Sequence, residues 1–167
     1  MILVDEHLML APAGICFRVA CDVERWPRWL AHYRRVRFLN GDAVAGGRVE
    51  MAAWRDFLGP VRYPTWWVSD MRTDPLEPAI FFRHVDGITS GMDVKWSFSP
   101  APDGTRVCIT HAWDGPPWPL FGGLAWRAII APHFVSAIAQ RTLAGIAREA
   151  ERLHSAAKRD ATNERTV

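Results

Sequence analysis

Residues 92–98 read MDVKWSF and residues 105–113 read TRVCITHAW, and both stretches alternate between apolar and polar side chains. Successive side chains of a β-strand point to opposite faces, so each stretch has one apolar face and one mixed face. The apolar positions are Met92, Val94, Trp96 and Phe98, followed by Val107, Ile109, His111 and Trp113. This pattern predicts two strands of an antiparallel sheet that is covered on one side.

The chain on the N-terminal side of these strands also contains strand-like runs, which are separated by turn signals such as Asn40-Gly41, Gly59-Pro60 and Asp86-Gly87. We predict seven strands in all, over residues 2–10, 36–39, 48–58, 63–72, 79–85, 92–98 and 105–113. The last six strands follow one another through short links, which favours an antiparallel meander.

Helical signals flank this run of strands. Residues 13–21 read as a short helix after Pro12, and Asp22 is the predicted N-cap of a second short helix that ends near Leu30. Apolar residues at three- and four-residue spacing over 134–153 predict a long amphipathic helix. Residues 120–131 read as a separate short helix or a bent lead-in to it. We expect one domain over 1–154 and a polar, disordered tail over 155–167.

These elements predict an α+β helix-grip architecture. A curved seven-stranded antiparallel sheet wraps around the long C-terminal helix, and the two short helices after the first strand close one end. One helix is too narrow to cover so wide a sheet, so an internal cavity is expected. Nine tryptophans support this interpretation, because indole rings often line cavities for flat or apolar ligands.

Composition excludes several other functions. The formal net charge is only +2 and both signs are mixed along the chain, so no nucleic-acid surface is predicted. Three cysteines without CxxC spacing indicate reduced thiols in a cytoplasmic protein. The first apolar run contains Asp5 and Glu6, and residues 120–131 are too short to cross a membrane. Histidines and carboxylates show no metal-ligand spacing, so we expect no metal and no cofactor.

Three motifs carry a resemblance to a known family. They are DVERWP at residues 22–27 with Tyr33 following, WVS at residues 67–69, and VKWSF at residues 94–98. Together with the order of elements, they make the chain resemble the START-like (SRPBCC, helix-grip) superfamily, and within it the bacterial polyketide aromatase/cyclases. In such enzymes the cavity holds a poly-β-ketone delivered by an acyl carrier protein, and the pocket guides its aldol cyclisation and dehydration.

The resemblance implies roles for individual residues. Tyr33 and Ser69 are the implied catalytic hydrogen-bond donors, and the implied substrate-binding walls are Trp26, Trp67 and Trp96. The family places an arginine two residues after the serine, but this chain has Met71 there. Arg72 follows it and therefore points to the opposite face of the strand. Met71 makes that part of the predicted pocket apolar and adaptable.

The residues themselves add three candidates. His111 lies on the apolar face beside Trp113 and is the best-placed group for proton transfer near neutral pH, while His84 alternates with Phe82 as a second candidate. We predict that His111 is catalytic and that His84 and Trp113 contact substrate. Each prediction has a plainer alternative, because a buried histidine, serine hydroxyl or tryptophan can serve packing alone.

Two functions follow from one cavity. The first is an aromatase/cyclase that acts on a carrier-bound polyketide, with the acyl carrier protein as partner. The second is a non-catalytic carrier of a hydrophobic small molecule such as a lipid, a quinone or a polyketide, because fold alone does not fix function. Arginines crowd residues 25–37 and form either a docking patch for the carrier protein or a solvated charged face.

Overall fold

The computed structural model describes residues 1–57, 61–115 and 131–164. The strands are β1 (Ile2–Met9), β2 (Tyr33–Asp42), β3 (Gly46–Phe57), β4 (Val61–Asp74), β5 (Ala79–Gly87), β6 (Asp93–Ala101) and β7 (Gly104–Ala112). The helices are α1 (Ala13–Cys21), α2 (Trp26–Trp29) and α3 (Ala131–Glu164), with one 3-10 turn at Val23–Arg25. All seven predicted strands are present, and α1 has its predicted bounds.

The strands form one antiparallel sheet in the order β1-β7-β6-β5-β4-β3-β2. Each strand from β2 to β7 pairs with the next one along the chain, which confirms the meander, and β1 joins the far side of β7. The register places Trp96 between Ile80 and Ile109 on neighbouring strands. The apolar residues of the predicted inner face therefore lie side by side on the concave surface of the curved sheet.

The long helix α3 packs on this concave surface through its apolar stripe. Leu143, Ile146 and Ala150 are completely buried. Asp5 on β1 is also buried, and its carboxylate accepts hydrogen bonds from Ser136 Oγ at 3.1 Å and Gln140 Nε2 at 3.0 Å. A buried charge needs such partners, so this cluster fixes the helix against the edge strand. The predicted helix-grip architecture is confirmed.

The second short helix differs from the sequence-based prediction. A 3-10 turn and the four-residue α2 replace one continuous helix, and Pro27 lies in the first turn of α2. Asp22 occupies the predicted cap position but makes no capping hydrogen bond. Its carboxylate instead accepts from Arg25 Nη1 at 3.4 Å. Arg25 stands three residues after Asp22, at the position where a capping box has Glu or Gln. Its guanidinium therefore takes the carboxylate oxygen that would otherwise accept from a backbone N–H.

The C-terminal end also differs from its prediction. Helix α3 continues through Glu164, past the boundary predicted at residue 154. The charged side chains beyond residue 154 are mostly exposed and are compatible with a solvated helical extension. The division into one domain over 1–154 and a tail stays a prediction. The helix or lead-in predicted for residues 120–131 lies outside the described residues, apart from Ala131. Among the helices that the structure describes, none is long and apolar enough to span a membrane.

Candidate functional site

A cavity of about 70 Å³ lies between the concave sheet and helix α3. Six of the nine predicted site residues line it: Trp26, Tyr33, Trp67, His84, Trp96 and His111. One comes from α2 and the other five from the strands β2, β4, β5, β6 and β7, so the fold brings together residues that are far apart in sequence. The rest of the lining is mainly aliphatic and includes Met51, Met92 and Ile109.

The aromatic rings form a connected wall. Trp26 packs edge-on against Tyr33, with ring centroids 5.1 Å apart, and lies 5.7 Å from Trp96. Tyr33 in turn lies 6.1 Å from Trp67, whose ring stacks on His84 at 5.8 Å. Edge-to-face and stacked pairs at these distances are mutually attractive. The rings therefore hold one another in place as a rigid, flat-sided lining.

A local irregularity of the sheet sets the stacking of His84 on Trp67. The register between β4 and β5 shifts between Val68 and Ser69, so that Val85 is skipped. Trp67 then pairs with Gly87, whose φ is +88°. A Cβ atom on Gly87 would lie 2.4 Å from the carbonyl oxygen of Trp66, so glycine is needed at this bulge.

The polar groups of the cavity are hydroxyls and imidazoles. His84 Nδ1 lies 2.6 Å from Thr89 Oγ1, and Thr142 Oγ1 lies 3.0 Å from Nε2 of His32, which is itself outside the lining. Tyr33 and His111 add a phenol and a second imidazole. Within the described part of the chain, no carboxylate, lysine or arginine lines this cavity. The cavity therefore offers neutral hydrogen-bonding groups at defined positions on an apolar wall.

Sequence reasoning missed two polar residues of the cavity lining and a histidine that contacts one of them. Thr142 belongs to the apolar stripe of α3, and one hydroxyl within such a stripe is the signal that marks it. Thr89 lies in the turn after β5, where polar residues are ordinary, so the sequence holds no signal for its burial. His32 precedes Tyr33 and bridges to Thr142, which is a contact between residues 110 positions apart.

Three predicted site residues do not line the cavity. Ser69 is completely buried, and its Oγ has no hydrogen-bond partner among the described residues. Met71 is buried farther along β4. Trp113 is buried too, and its Nε1–H donates to the carbonyl of Ser90 at 3.1 Å, which anchors the turn that carries Thr89. The predicted contribution of these residues to catalysis or binding stays a prediction.

The face assignment of β4 agrees with the prediction. Trp67, Ser69 and Met71 are buried on the inner side, whereas Trp66 is 51% exposed and Arg72 lies on the outside over the ring of Phe81 at 4.2 Å. Arg72 therefore does not replace the arginine that the resembling enzymes place two residues after the serine. On the same outer face, hydrogen bonds from Arg48 lower the pKa of Asp70, and that ion pair belongs to the surface.

The cavity is smaller than the predicted hollow. Its volume of about 70 Å³ holds roughly two water molecules, whereas ligand pockets usually measure about 300–1,000 Å³. Three indole rings occupy the space between sheet and helix. One of them, Trp26, has a buried Nε1–H without an acceptor within the residues described. A ligand larger than this volume could therefore enter only if side chains moved. The Trp26 Nε1–H could then donate a hydrogen bond to it.

Leu30 makes a tight contact with helix α3, the helix that also contributes Thr142 to the cavity lining. A Cβ atom on Gly145 would lie 2.0 Å from Leu30 Cδ2, so any larger residue at position 145 would force the leucine side chain to move. Beside it, the hydrogen bond between His32 and Thr142 joins the same two segments. Leu30, His32 and their two partners on α3 are hereafter called the partition.

The fold of this chain is similar to the folds of several proteins of known structure. The fold matches the Zhui aromatase/cyclase from Streptomyces sp. R1128 with a TM-score of 0.70 and 19% identity, covering 91% of this chain and 94% of that one. It matches a START superfamily protein from Mycobacterium smegmatis with a TM-score of 0.62 and 16% identity, covering 92% and 97%. The chain thus has the START-like helix-grip fold.

The sequence then gives the family. The profile of the "Polyketide cyclase / dehydrase and lipid transport" family matches residues 10–132. A relative from Streptomyces cyaneus, assigned as a polyketide cyclase, is 29% identical over 110 residues, which cover 64% of this chain and 68% of that protein. This chain belongs to the polyketide cyclase/dehydrase and lipid transport family.

Proposed function

We propose that this protein is an aromatase/cyclase that guides the regiospecific aldol cyclisation and dehydration of a carrier-bound poly-β-ketone. The observation that supports the proposal most strongly is the aromatic cavity with its neutral donors and acceptors at fixed positions. Family membership and the polyketide cyclase assigned in Streptomyces cyaneus support the same reaction class. A flat ring that forms between indole walls matches the shape of the lining.

The chemistry requires little charge from the protein. A base removes a proton from the methylene between two carbonyls, and the resulting enolate carbon attacks a third carbonyl to form the new carbon–carbon bond. The alkoxide takes up a proton, and loss of water then gives the aromatic ring. Such a methylene is already acidic, so orientation of the chain supplies much of the rate, on the order of several kcal/mol.

The proposed roles follow from the positions of the side chains. Tyr33 donates to a carbonyl oxygen that becomes negative during attack. His111 accepts the methylene proton and returns it to the new alkoxide; during dehydration it takes the second proton from the same carbon and passes it to the departing hydroxyl, which leaves as water, because imidazole exchanges protons near neutral pH. His84 is held by Thr89 and presents its ring beside Trp67, where it orients the chain. We retain Ser69 as a proposed catalytic donor, although a rearrangement must bring its hydroxyl to the cavity surface.

A second candidate is a carrier of a hydrophobic small molecule. The neutral, apolar lining favours it, since binding needs no proton transfer, and the family description includes lipid transport. The two functions differ in whether the ligand leaves unchanged. Trp96 and Trp26 would serve as binding walls in either case.

The proposed delivery partner is an acyl carrier protein. The arginines of residues 25–37 support docking less well than their number indicates, because Arg35 and Arg37 both pair with Glu50 and Arg25 pairs with Asp22. These surface ion pairs are weak, yet they reduce the positive charge that an acidic carrier would meet.

The test is reconstitution with a minimal polyketide synthase. Addition of the purified protein is expected to redirect shunt products toward one regiospecific aromatic product, analysed by liquid chromatography and mass spectrometry. The variant His111→Gln should lower the rate of formation of that product by about a hundredfold or more, the range for loss of a general base. An unchanged product profile, together with tight binding of a lipid or quinone, supports the carrier function instead.

A further inference from the structure

The turn between β5 and β6 holds a buried hydroxyl against one of the rings of the aromatic cavity. Thr89 belongs to this turn and is 3% exposed, and its Oγ1 lies 2.6 Å from Nδ1 of His84. Both residues line the cavity. The contact bears on how His84 meets a ligand, because the hydrogen bond made by one ring nitrogen decides which nitrogen carries the proton.

We propose that Thr89 is a positioning residue that holds neutral His84 in the tautomer with its proton on Nε2, so that His84 donates a hydrogen bond to a carbonyl oxygen of the ligand. The inference deepens the proposed function and rests on it for the identity of that carbonyl, which belongs to the poly-β-ketone. It gives the two imidazoles of the cavity different roles. His84 stabilises negative charge on an oxygen, and His111 moves the protons.

The direction of the hydrogen bond follows from the partners of the hydroxyl. Within the described ranges, the Thr89 hydroxyl bonds to His84 alone. If the ring donated from Nδ1, the buried hydroxyl proton would lack an acceptor among those residues, which is an unfavourable arrangement. The hydroxyl therefore donates to Nδ1. A neutral imidazole that accepts through Nδ1 carries its proton on Nε2.

The surroundings of this hydrogen bond keep its two partners in place. Trp113 Nε1–H donates to the carbonyl of Ser90 at 3.1 Å, and the backbone N–H of Gly91 donates to the carbonyl of His84 at 2.9 Å. Gly91 has a φ of +87°, a conformation that favours glycine. The ring of Trp67 stacks on the imidazole with the two planes 21° apart. The turn and the indole therefore fix the hydroxyl and the ring relative to each other.

Nuclear magnetic resonance of the histidine rings tests the tautomer directly. In protein labelled with ¹⁵N in its imidazoles, long-range ¹H–¹⁵N correlation distinguishes a protonated ring nitrogen from an unprotonated one, and His84→Phe identifies the signals of His84. At pH 8, where an ordinary imidazole is neutral, we expect an unprotonated Nδ1 and a proton on Nε2. A proton on Nδ1, or an imidazolium at this pH, would overturn the inference.

Substitution of Thr89 separates its hydroxyl from the packing of the turn. Thr89→Val keeps the shape and should move the Nδ1 resonance to the position of a nitrogen without a hydrogen bond, and Thr89→Ser should restore the original signal. The matched control is Thr65→Val, which removes another buried hydroxyl that donates to the backbone carbonyl of Ala53. An unchanged His84 signal in Thr89→Val would overturn the inference, as would an equal change in the control.

Two bicyclic probes test the donation to a carbonyl. 1-Tetralone has one ketone, and tetralin is the hydrocarbon without it. Measured by isothermal titration calorimetry, His84→Phe should weaken the binding of 1-tetralone about fivefold relative to that of tetralin, which is the effect of one neutral hydrogen bond. The variant keeps an aromatic ring beside Trp67, so tetralin measures the change in packing. An equal effect on both probes would overturn the inference, and if neither probe binds, the tautomer alone decides.

These measurements require no turnover, so they are independent of the proposed reaction. The expected tautomer and ketone preference, in a protein that leaves the products of the minimal polyketide synthase unchanged, contradict only the proposed function. Regiospecific cyclisation by a protein whose His84 carries its proton on Nδ1 contradicts only this inference.

Discussion

Tyr33 illustrates how much one residue depends on its neighbours in this site. Its ring is held edge-on between Trp26 and Trp67, and it begins strand β2 directly after the partition residue His32. The sequence resemblance pointed to this tyrosine, and the structure places it on the cavity wall. The contacts that fix its ring come from α2 and β4, and no pattern within one segment could have predicted them.

Replacing Tyr33 by phenylalanine tests its hydroxyl separately from its ring. Tyr33→Phe should lower the rate of formation of the regiospecific product about a hundredfold, because a donor to a developing oxyanion contributes on the order of 3 kcal/mol. The unfolding free energy should fall by no more than about 1 kcal/mol, since the ring contacts remain. Product analysis and urea denaturation measure the two effects. Full activity in the variant would remove the phenol from the mechanism.

The hydroxyl of Ser69, unlike that of Tyr33, is expected to lower the stability of the folded protein. Its hydroxyl is completely buried and has no hydrogen-bond partner in the described parts of the chain, so folding strips it of water without compensation. Ser69→Ala should therefore raise the unfolding free energy by about 1 kcal/mol. Ser97→Ala, at a half-exposed position on β6, is the control and should change stability little. A loss of stability in Ser69→Ala would show that the hydroxyl is satisfied in solution.

At the scale of elements, the strands were easier to predict than the segments between them. The alternation of β6 and β7 fixes their buried faces, because a half-buried strand needs a period of two. The bulge opposite Ser69 was not predictable, since its extra residue Val85 looks like any other strand residue. The partition was not predictable from the sequence either, because the contact of Leu30 with Gly145 depends on how the segment after α2 packs against α3.

The contact between Leu30 and Gly145 predicts that a side chain at position 145 is destabilising, because buried Leu30 must move to make room for it. Gly145→Ala should destabilise the protein by about 1–3 kcal/mol through overpacking, although alanine favours helices. The matched control is Gly14→Ala in α1, where an added Cβ meets nothing within 4 Å, and this change should stabilise by up to about 1 kcal/mol. Urea denaturation compares the two. Equal effects at both positions would contradict the tight contact.

Helix α1 makes a prediction about its thiols. Burial raises the pKa of Cys21 to about 12 and also raises the pKa of Cys16. Both residues therefore stay as unreactive thiols in the folded protein. Stability from Cys21 is fully present below the unfolded pKa of 9.0 and is lost as pH rises toward 12. Labelling with iodoacetamide at pH 8, followed by peptide mapping, should modify these two cysteines only after unfolding, whereas the partly exposed Cys108 can react earlier. Rapid labelling of Cys16 or Cys21 in the native protein would contradict their burial.

At the scale of the whole molecule, the sequence predicts the architecture but not the volume of its interior. The order of the elements and their apolar faces are enough to predict a curved sheet that wraps around one helix. The size of the remaining space depends on side-chain packing, and Trp26, Trp67 and Trp96 reduce it to about 70 Å³. The same rings that give the cavity its flat walls also limit its volume.

The central claim is that the space between sheet and helix is the ligand site. A crystal structure of the protein with a bound aromatic polyketide product tests this claim most directly. The account predicts the product against Trp67 and His84, close to Tyr33, in a cavity enlarged beyond its present volume. A product bound elsewhere, with the cavity closed at its present volume, would contradict the account.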